Sequence, residues 1–475
     1  MKENIIGRDS ELCQLEAMME SDRPDLMAVY GRRRIGKTFL IKEFFNNTFD
    51  YYATGIYEGS GKEELDAFCD GLYRYAEVEK GNITSWMEAF SALRDFLDTI
   101  KKPRIVVFLD ELPWLDVPPS RFLKAFEWFW NSWGSTKPGL KVIVCGSATT
   151  WMVDRFINGK GGLYNRVTER IYLPPFSLRE TESLLQHNGI DWSRAMILEA
   201  YMIFGGVPFY LSMLKRSLGL DANVDELFFR EKAPLKDEYS FIFRSLFKNS
   251  EYYTRLLDTI GSKNMGMTRK EIREKGNLPE NGVLTKALKN LEMCDFIRKY
   301  SAYGKKERDA IFQLTDLSVL FFKRFVENYN GRDLKHWTNM VDNPTRTSWT
   351  GIAFEQVSLL HLEQIKRALG ISGVSTEACS WQYRGDEYTP GAQIDLLIAR
   401  RDRVINICEM KYARDDFEVS SLLEKEMRRK KSTFTSVTGT RCSLHLTLVT
   451  PWGLKRNANS GIFNQCITMD DLFCF

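Results

Sequence analysis

The stretch LMAVYGRRRIGKTFLIKEFF, residues 26–45, decides the fold of the first part of the chain. Its apolar start predicts a short buried strand, and its end predicts the first turns of a helix. Between them, Gly31 to Thr38 satisfies the pattern GxxxxGK(S/T) in the strand–loop–helix setting that the pattern requires. Such a loop curls backbone N–H groups around a phosphate at the positive end of a helix dipole. The stretch therefore predicts a nucleotide-binding α/β domain.

The residues of this loop have separate expected roles. Lys37 is expected to reach the β- and γ-phosphates of ATP, and Thr38 to bind Mg²⁺. The side chains of the three consecutive arginines are expected to point outward while their backbones bind phosphate. The alternative is a chance glycine loop, which the flanking strand and helix disfavour. The predicted nucleotide-binding set is Gly31, Arg32, Arg33, Arg34, Ile35, Gly36, Lys37, Thr38 and Phe39.

Two further apolar strands end in polar residues. The run RIVVFL leads into Asp110 and Glu111, and the run KVIVC leads into Ser147. Ligands of parallel α/β sheets bind at the carboxyl ends of the strands. Asp110 is therefore expected to hold Mg²⁺, Glu111 to orient the attacking water, and Ser147 to sense the γ-phosphate. Alternatively, Glu111 only caps the turn at Pro113, and Ser147 only caps a helix that begins near Thr150.

The composition is that of an ordinary globular protein. The chain has 475 residues, of which 44% are hydrophobic and 27% charged, enough for about three domains of ~150 residues. The 66 Lys and Arg residues nearly balance the 63 Asp and Glu residues, so a nucleic-acid function must depend on local patches. The nine cysteines and four histidines lack zinc-site spacing. The start of the chain is polar and no apolar run approaches the ~20 residues that span a bilayer, so we predict a cytoplasmic protein without a membrane partner.

Six ordered stretches carry a resemblance to a known family. They are GRDSEL (from Gly7), YGRRRIGKT, VFLDELPWL, CGSATTWM, LYNRVTERIYLPPFS and FGGVPFYL. In this order they resemble the archaeal-type ATPases of the signal-transduction (STAND) branch of the AAA+ superfamily. The resemblance covers roughly the first half of the chain. It implies a P-loop ATPase with ATP and Mg²⁺ as cofactors, a helical lid, and the capacity to form a homo-oligomer when ATP binds.

The same resemblance implies three further nucleotide-site residues. Arg8 falls where the family closes over the base of the nucleotide. Arg166 falls where the family has an arginine that senses the γ-phosphate, although a structural salt bridge would also explain it. Pro208 matches the lid motif that takes the place of the usual second sensor arginine.

The middle of the chain predicts three helices and two strands. The helices are expected over residues 252–260, after the capping box that begins at Thr268, and from about Asn281 to Met293. The strands are expected over residues 296–300 and 309–314. This order resembles a winged helix-turn-helix, which the ATPase family places after its lid.

A DNA-binding winged helix would use its third helix in the major groove and its wing tip on phosphate. Groove-facing candidates are Lys286, Lys289 and Asn290, and wing candidates are Lys305, Lys306 and Arg308. The alternative is that the module only packs against neighbouring domains, as winged helices inside ATPases often do.

Near the end of the chain, four charged residues follow one another in the order Glu, Asp, Glu, Lys. A helix that opens at Trp349 carries Glu355, and the strand IDLLI carries Asp395. The next strand ends in Glu409 and Lys411, two residues apart and therefore on one face. A half-buried acid and base on one face are costly unless they pair or take part in chemistry.

This helix–strand–strand order resembles the PD-(D/E)xK nuclease superfamily, in which archaeal-type ATPases commonly end. The resemblance implies that Glu355, Asp395 and Glu409 bind Mg²⁺ and that Lys411 assists the attacking water. The proline of the superfamily name is absent, because Gln393 and Ile394 precede the aspartate. The alternative is a surface strand with an incidental ion pair, worth ~0–1 kcal/mol.

The helix expected over residues 420–432 carries further basic residues. It would form a ridge for a nucleic-acid backbone or, alternatively, a solvated helix face. Its basic residues are Lys425, Arg428, Arg429, Lys430 and Lys431.

These patterns together predict an α/β multidomain protein. The expected parts are a P-loop AAA+-like parallel-sheet core (1–175), a helical lid (176–245), a winged helix-turn-helix (246–330), a linker (331–347) and a C-terminal restriction-endonuclease-like α/β domain (348–475). The first functional hypothesis is an ATPase coupled to a Mg²⁺-dependent nuclease that cleaves nucleic acid, with DNA preferred over RNA. The second is an ATP-switched DNA-binding regulator whose nuclease fold is catalytically silent. A sensor that assembles on ATP binding is compatible with both.

Overall fold

The structure is a computed structural model of the whole chain. It describes residues 4–76, 83–147, 149, 151–159, 162, 163, 165–279, 281–305 and 310–474. The wing candidates Lys306 and Arg308 lie outside the described residues. The chain forms two compact units, and each is described separately below. The first comprises residues 1–175, 244–248 and 285–295, and the second comprises 176–243, 249–284 and 296–475.

The first unit contains a five-stranded sheet and its flanking helices. The strands are β1 (Asp25–Gly31), β2 (Tyr51–Thr54), β3 (Ile105–Asp110), β4 (Leu140–Ser147) and β5 (Glu169–Leu173). The helices are α1 (Asp9–Glu20), α2 (Lys37–Phe44), α3 (Gly61–Ala76), α4 (Trp86–Thr99), α5 (Leu112–Leu115) and α6 (Phe122–Ser132), with a π-helical segment at Trp151–Ile157. The strand order is β2-β3-β4-β1-β5, and every pair is parallel.

Both faces of this sheet are covered, as an all-parallel sheet requires. All residues of β3 and β4 are buried, which explains why the sequence shows continuous apolar runs there rather than alternation. One face packs on a large cluster rich in aromatic residues of α4 and α6, and the other packs on α1 and α2. The predicted parallel α/β core is confirmed, and its carboxyl edge gathers the ends of β1, β3 and β4.

The second unit begins with short helices and a small sheet. The helices are α7 (Leu178–His187), α8 (Arg194–Phe204), α9 (Pro208–Leu211), α10 (Leu220–Val224), α11 (Glu238–Leu246), α12 (Ser250–Gly261), α13 (Arg269–Gly276), α14 (Gly282–Met293) and α15 (Leu317–Phe321). Residues 244–248, at the end of α11, and residues 285–295, which include most of α14, belong to the first unit. The strands β6 (Met267–Thr268), β7 (Ile297–Tyr300) and β8 (Ile311–Leu314) form an antiparallel sheet in the order β6-β8-β7. The predicted strand pair is therefore present, and the winged-helix assignment stays a prediction.

The segment 331–347, expected to be a linker, is packed into the second unit. Asp225 accepts hydrogen bonds from the backbone of Trp337 and from Thr338, and Arg346 pairs with Asp221 at 2.8 Å. The Trp337 side chain is 1% exposed and packs edge-on against Trp349. The polar residues of this segment suggested an open linker, and most of them are exposed, but Trp337, Thr338 and Arg346 fix it to the second unit.

The end of the chain forms a mixed sheet with helices. The strands are β9 (Thr376–Tyr383), β10 (Ala392–Arg400), β11 (Val404–Met410), β12 (Phe417–Glu418), β13 (Ser443–Val449), β14 (Leu454–Lys455) and β15 (Gln465–Ile467). The helices are α16 (Pro344–Leu360), α17 (Leu362–Ala368), α18 (Ser421–Thr438) and α19 (Met469–Leu472). The main sheet has the order β15-β13-β11-β10-β9, with β9, β10 and β11 antiparallel and β11, β13 and β15 parallel.

Helix α16 begins five residues earlier than the sequence predicted. The expected start was Trp349, but Asn343 caps the helix by accepting from the backbone of Thr345, and Pro344 opens it. Both residues suggested a loop, yet they are favoured cap and first-turn residues. Among the described residues, no helix has the length and apolar character needed to cross a bilayer.

Candidate functional sites

The phosphate loop between β1 and α2 has the close packing that its glycines permit. A Cβ on Gly31 would lie 2.3 Å from the carbonyl oxygen of Leu173, so no larger residue fits there. Arg34 and Gly36 have φ values of 72° and 87°, which turn the backbone into a left-handed conformation within the loop. Ile35 is buried and anchors the loop to the core.

Lys37 and Thr38 lie beside the acid predicted to join them. Lys37 Nζ donates to the carbonyl of Arg32 at 2.8 Å and to that of Gly31 at 3.3 Å, so it crosses the inside of its own loop. Thr38 Oγ1 lies 2.9 and 3.1 Å from the two carboxylate oxygens of Asp110. A hydroxyl and a carboxylate at this separation fit Mg²⁺, which prefers oxygen ligands.

Glu111 sits in an unusual backbone conformation directly after β3. Its φ and ψ are both 46°, a left-handed conformation that costs energy for a residue other than glycine. It occupies the cap position of α5, but its side chain makes no capping hydrogen bond. Burial raises the pKa of Glu111, with Asp110 adding to the rise and Lys37 opposing it. A carboxyl held in this way is suited to orient a water and accept its proton.

The prediction that all three loop arginines point outward is wrong for Arg32. Its side chain is 1% exposed, because the loop backbone turns this position toward the protein interior. Arg33 and Arg34 are partly exposed, and the guanidinium of Arg33 lies 5.7 Å from the centre of the Trp114 ring. Trp114 therefore belongs to the surroundings of the loop, and sequence reasoning missed it.

The remaining predicted nucleotide-site residues differ in placement. Ser147 is buried and pairs in register with Gly31, next to the phosphate loop. Arg8 is buried, donating from Nη2 to the carbonyl of Pro174 at 2.8 Å. Phe39 is exposed on α2.

Two of the predicted nucleotide-site residues rest on the family resemblance alone. In the described part of the chain, Arg166 is exposed and makes no ion pair with a carboxylate, so the salt-bridge alternative finds no support. Pro208 opens α9 in the second unit. Their roles toward the nucleotide stay predictions.

A second group of charged side chains lies in the C-terminal sheet. Glu409, at the end of β11, is 6% exposed, and its Oε1 lies 2.9 Å from Nζ of Lys411. Asp395, on β10, accepts from Nε2 of Gln393 at 2.8 Å. Glu355 comes from α16 and is half-buried. Three separate elements therefore carry the charged side chains predicted for this site.

The pKa shifts indicate that these groups interact. Burial raises the pKa of Glu355 to about 7, with Asp395 and Glu409 adding to the rise and Lys411 and Lys430 opposing it. Burial would also raise the pKa of Glu409, but Lys430 and Lys411 outweigh it and hold the pKa below its usual value. The site thus contains one acid that is readily protonated and one that stays ionised.

Lys430 of α18 is a member of this site that the sequence analysis misplaced. It was assigned to an exposed basic ridge, but it is 6% exposed, and its Nζ lies 2.8 Å from Oε2 of Glu409. The helix buries Leu423, Met427, Lys430 and Phe434 along one stripe. This helical spacing was available in the sequence and indicates that Lys430 faces the sheet.

The oxygens of Glu355, Asp395 and Glu409 are the kind of ligand that Mg²⁺ prefers. Within the described ranges, no three His, Cys, Asp or Glu side chains stand close enough to hold a metal ion. Each oxygen of Glu409 is bonded to a lysine instead. For these acids to bind a metal ion, Lys411 or Lys430 would have to give up its contact with Glu409, or the ion would have to bind the same oxygen as the lysine.

The groove-facing candidates on α14 also differ from expectation. Asn290 is 4% exposed, because it falls beside the buried residues Ala287 and Leu291 of the helix. Lys289 pairs with Asp154 at 2.6 Å within the first unit. Such a contact is expected if the winged helix packs against other parts of the protein instead of binding DNA.

Comparison with known proteins identifies the first part of the chain. Residues 5–214 match the family described as an ATPase domain predominantly from Archaea. The chain is 24% identical over 389 residues to the uncharacterized protein MJECL04 of Methanocaldococcus jannaschii, covering 81% of this chain and 83% of that one. It is 45% identical over 43 residues to the uncharacterized ATP-binding protein MJ0423 of the same organism, covering 9% of this chain and 73% of that one.

Two solved structures are similar at low sequence identity. The Walker-type ATPase PABY2304 of Pyrococcus abyssi has a TM-score of 0.48 at 20% identity, covering 67% of this chain and 96% of that one. The ORC2 protein of Aeropyrum pernix, in its ADPNP–ADP complexes, has a TM-score of 0.42 at 12% identity, covering 72% of this chain and 94% of that one. The family match and the phosphate loop identify residues 5–214 as an archaeal-type ATPase domain.

Proposed function

We propose that this chain couples ATP hydrolysis to Mg²⁺-dependent cleavage of nucleic acid at Glu355, Asp395, Glu409 and Lys411. The observation that carries the nuclease part is the electrostatic coupling of these four residues, which come from three elements. The finer classification as a signal-transduction ATPase of the AAA+ superfamily belongs to the same proposal, as does DNA as the preferred substrate.

In the ATPase domain, the proposed chemistry divides among residues at the edge of the sheet. The loop backbone and Lys37 bind the phosphates, and Thr38 and Asp110 hold Mg²⁺. Glu111, whose pKa is raised by burial, orients the attacking water and accepts its proton. Mg²⁺ at this position would neutralise charge on the β- and γ-phosphates.

In the C-terminal site, the carboxylates would hold Mg²⁺. The ion would lower the pKa of a bound water and offset the charge that develops on the scissile phosphate. Lys411, whose Nζ lies 2.9 Å from Oε1 of Glu409, would offer its positive charge to that phosphate. Glu355, with a pKa of about 7, can hold or release a proton at neutral pH.

One observation favours the second candidate function, an ATP-switched DNA-binding regulator with a silent nuclease fold. Both oxygens of Glu409 are bonded to lysines, at 2.9 Å and 2.8 Å. A carboxylate engaged in this way binds a metal less readily, because the ion must displace two cations. In that case the C-terminal fold would serve for binding alone.

The decisive experiment measures cleavage of labelled single- and double-stranded DNA and RNA with Mg²⁺, with and without ATP. The native chain is compared with Lys411→Ala and with the control Lys455→Ala, which removes the lysine of a separate Lys–Glu pair, at 2.8 Å from Glu418. Cleavage that requires Lys411 but not Lys455 supports the nuclease. Equal cleavage by all three proteins contradicts the assigned site, and binding without cleavage favours the regulator.

Assembly on ATP binding is tested separately. The mass of the particle is measured by light scattering with and without a slowly hydrolysed ATP analogue, using Lys37→Ala as the control that cannot hold the phosphates. An unchanged mass in the native protein would remove the oligomer from the proposal.

A further inference from the structure

The strand that carries Asp395 is irregular at that residue. In the pairing of β9 with β10, Ile394 lies opposite Trp381 and Leu397 lies opposite Cys379. Between these two pairs β10 has two residues, Asp395 and Leu396, whereas β9 has one, Ser380. This extra residue is a β-bulge. Such a bulge redirects a side chain and is common beside active sites.

Ser380 is also the point at which the segment after β7 joins the sheet. Ala302 forms a parallel bridge with Ser380, and the Tyr303 N–H donates to the Ser380 carbonyl at 2.8 Å. The Tyr303 ring lies 5.2 Å from that of Phe434 of α18 and packs against the core of this sheet. The segment is therefore held by backbone and side-chain contacts at the bulge that carries Asp395.

The strand leading to this contact presents a fixed arginine. Arg298 and Tyr300 are two residues apart on β7 and share a face, with the guanidinium 4.4 Å from the centre of the Tyr300 ring. Nε of Arg298 donates to Gln313 at 2.7 Å, and Gln313 donates to the carbonyl of Asn264 at 2.6 Å. The plane of the guanidinium is thus set before any ligand arrives.

Arg298 and Asp395 act on each other electrostatically. Burial lowers the pKa of the Arg298 guanidinium, while Tyr300 and Asp395 oppose that change. Among the described residues, no ion pair within 4.0 Å joins Arg298 to Asp395. Arg298 and Asp395 are therefore not joined in an ion pair.

We propose that Arg298 is a phosphate-binding residue of the C-terminal site and that the face of β7 that carries Arg298 and Tyr300, with residues 301–303, forms part of the nucleic-acid-binding surface there. A planar guanidinium matches the two oxygens of a phosphate and keeps its charge when half-buried. Placed beside Asp395, it offsets the repulsion between the acidic site and an approaching phosphate backbone. This inference rests on the proposed function, because it takes nucleic acid as the ligand of the site.

The test is equilibrium binding of a labelled 20-base-pair DNA duplex, followed by fluorescence anisotropy over a series of salt concentrations. Ca²⁺ replaces Mg²⁺ to suppress cleavage. The variants are Arg298→Ala, Arg298→Lys and the control Lys299→Ala, which removes a charge from the opposite, exposed face of the same strand. Thermal melts of all variants identify any that fail to fold.

Arg298→Ala is expected to lower the slope of log K against log salt concentration by about 1, the value for one lost phosphate contact. Arg298→Lys is expected to keep the slope and weaken binding, because the charge remains and the fork geometry is lost. The control is expected to keep both slope and affinity. If Arg298→Ala does not fold, the affinity of Arg298→Lys tests the inference: weaker binding supports it, and unchanged binding overturns it.

The outcomes separate this inference from the proposed nuclease. An unchanged slope and affinity in the Arg298 variants overturn the inference, even where the native protein cleaves DNA. A reduced slope with no cleavage by the native protein supports the inference and removes the nuclease from the proposed function. Absence of any DNA binding by the native protein overturns both.

Discussion

Lowering the pH from 7 to 4 is expected to destabilise the second unit through His361, at the end of α16. This side chain is 2% exposed, with Nε2 accepting from the Leu178 N–H at 3.0 Å and Nδ1 2.8 Å from the Val357 carbonyl. The two contacts require a neutral ring with its proton on Nδ1. A second proton would place a donor and a positive charge against the N-terminus of α7, where the helix dipole is already positive.

The magnitude follows from the shift in pKa. Burial lowers the pKa of His361 from 6.5 to about 4, with the contact to Val357 and the charge of Glu180 acting in the opposite direction. The unfolded chain therefore takes up a proton at higher pH than the folded chain does. Stability is unaffected above pH 6.5 and falls as the pH drops from 6.5 to about 4, by about 3 kcal/mol at 1.36 kcal/mol per pH unit.

The assay has two parts. In protein with ¹³C-labelled histidine, the His361 resonance is assigned by its loss in His361→Gln, whose amide oxygen can still accept from the Leu178 N–H. The resonance is expected to stay that of a neutral ring from pH 7.5 to 5. The free energy of unfolding, measured with denaturant, is expected to fall by about 3 kcal/mol more in the native protein than in the variant between pH 7 and 4. A His361 resonance that titrates near 6.5 would refute the reasoning.

Three further predictions concern the two sites. Gly31→Ala is expected to lower the melting temperature and abolish ATP binding, because the new Cβ would lie 2.3 Å from a backbone carbonyl oxygen; normal nucleotide titration would contradict this. Glu111→Gln is expected to retain ATP binding and lose phosphate release, so turnover at the native rate would remove its assigned role. Lys430→Met is expected to cost about 3 kcal/mol of unfolding free energy, since buried Glu409 loses one of its two partners. The exposed control Lys425→Met is expected to change stability by less than about 0.5 kcal/mol.

The ATPase core was predictable because its signals are local. The loop from Gly31 to Thr38 needs particular residue types at fixed spacing, and the strand that ends at Asp110 is continuous in its apolar residues. Arg32 was misjudged because the direction of a loop side chain depends on backbone torsions that the residue type does not determine. A run of three arginines gave no indication that one of them is buried.

The C-terminal site was only partly predictable. The spacing of Glu409 and Lys411 indicates a shared face of one strand, which requires no tertiary information. Lys430 lies on a helix, 21 positions after Glu409 in the chain. Because it is charged, the sequence analysis assigned it to the exposed face and not to the buried stripe of the helix. The contact of Tyr303 with Ser380 depends on how two distant segments meet, and neither segment carries a signal for the other.

The packing of residues 331–347 has a consequence for chain rearrangement. A gene fusion that joined a foreign N-terminal part at residue 348 would remove Trp337 and leave Trp349 without its aromatic neighbour. The C-terminal sheet therefore cannot be separated at residue 348 without loss of contacts that residues 331–347 provide. A viable exchange should carry residues 331–347 together with the residues around Asp221 and Asp225, so that these contacts stay intact.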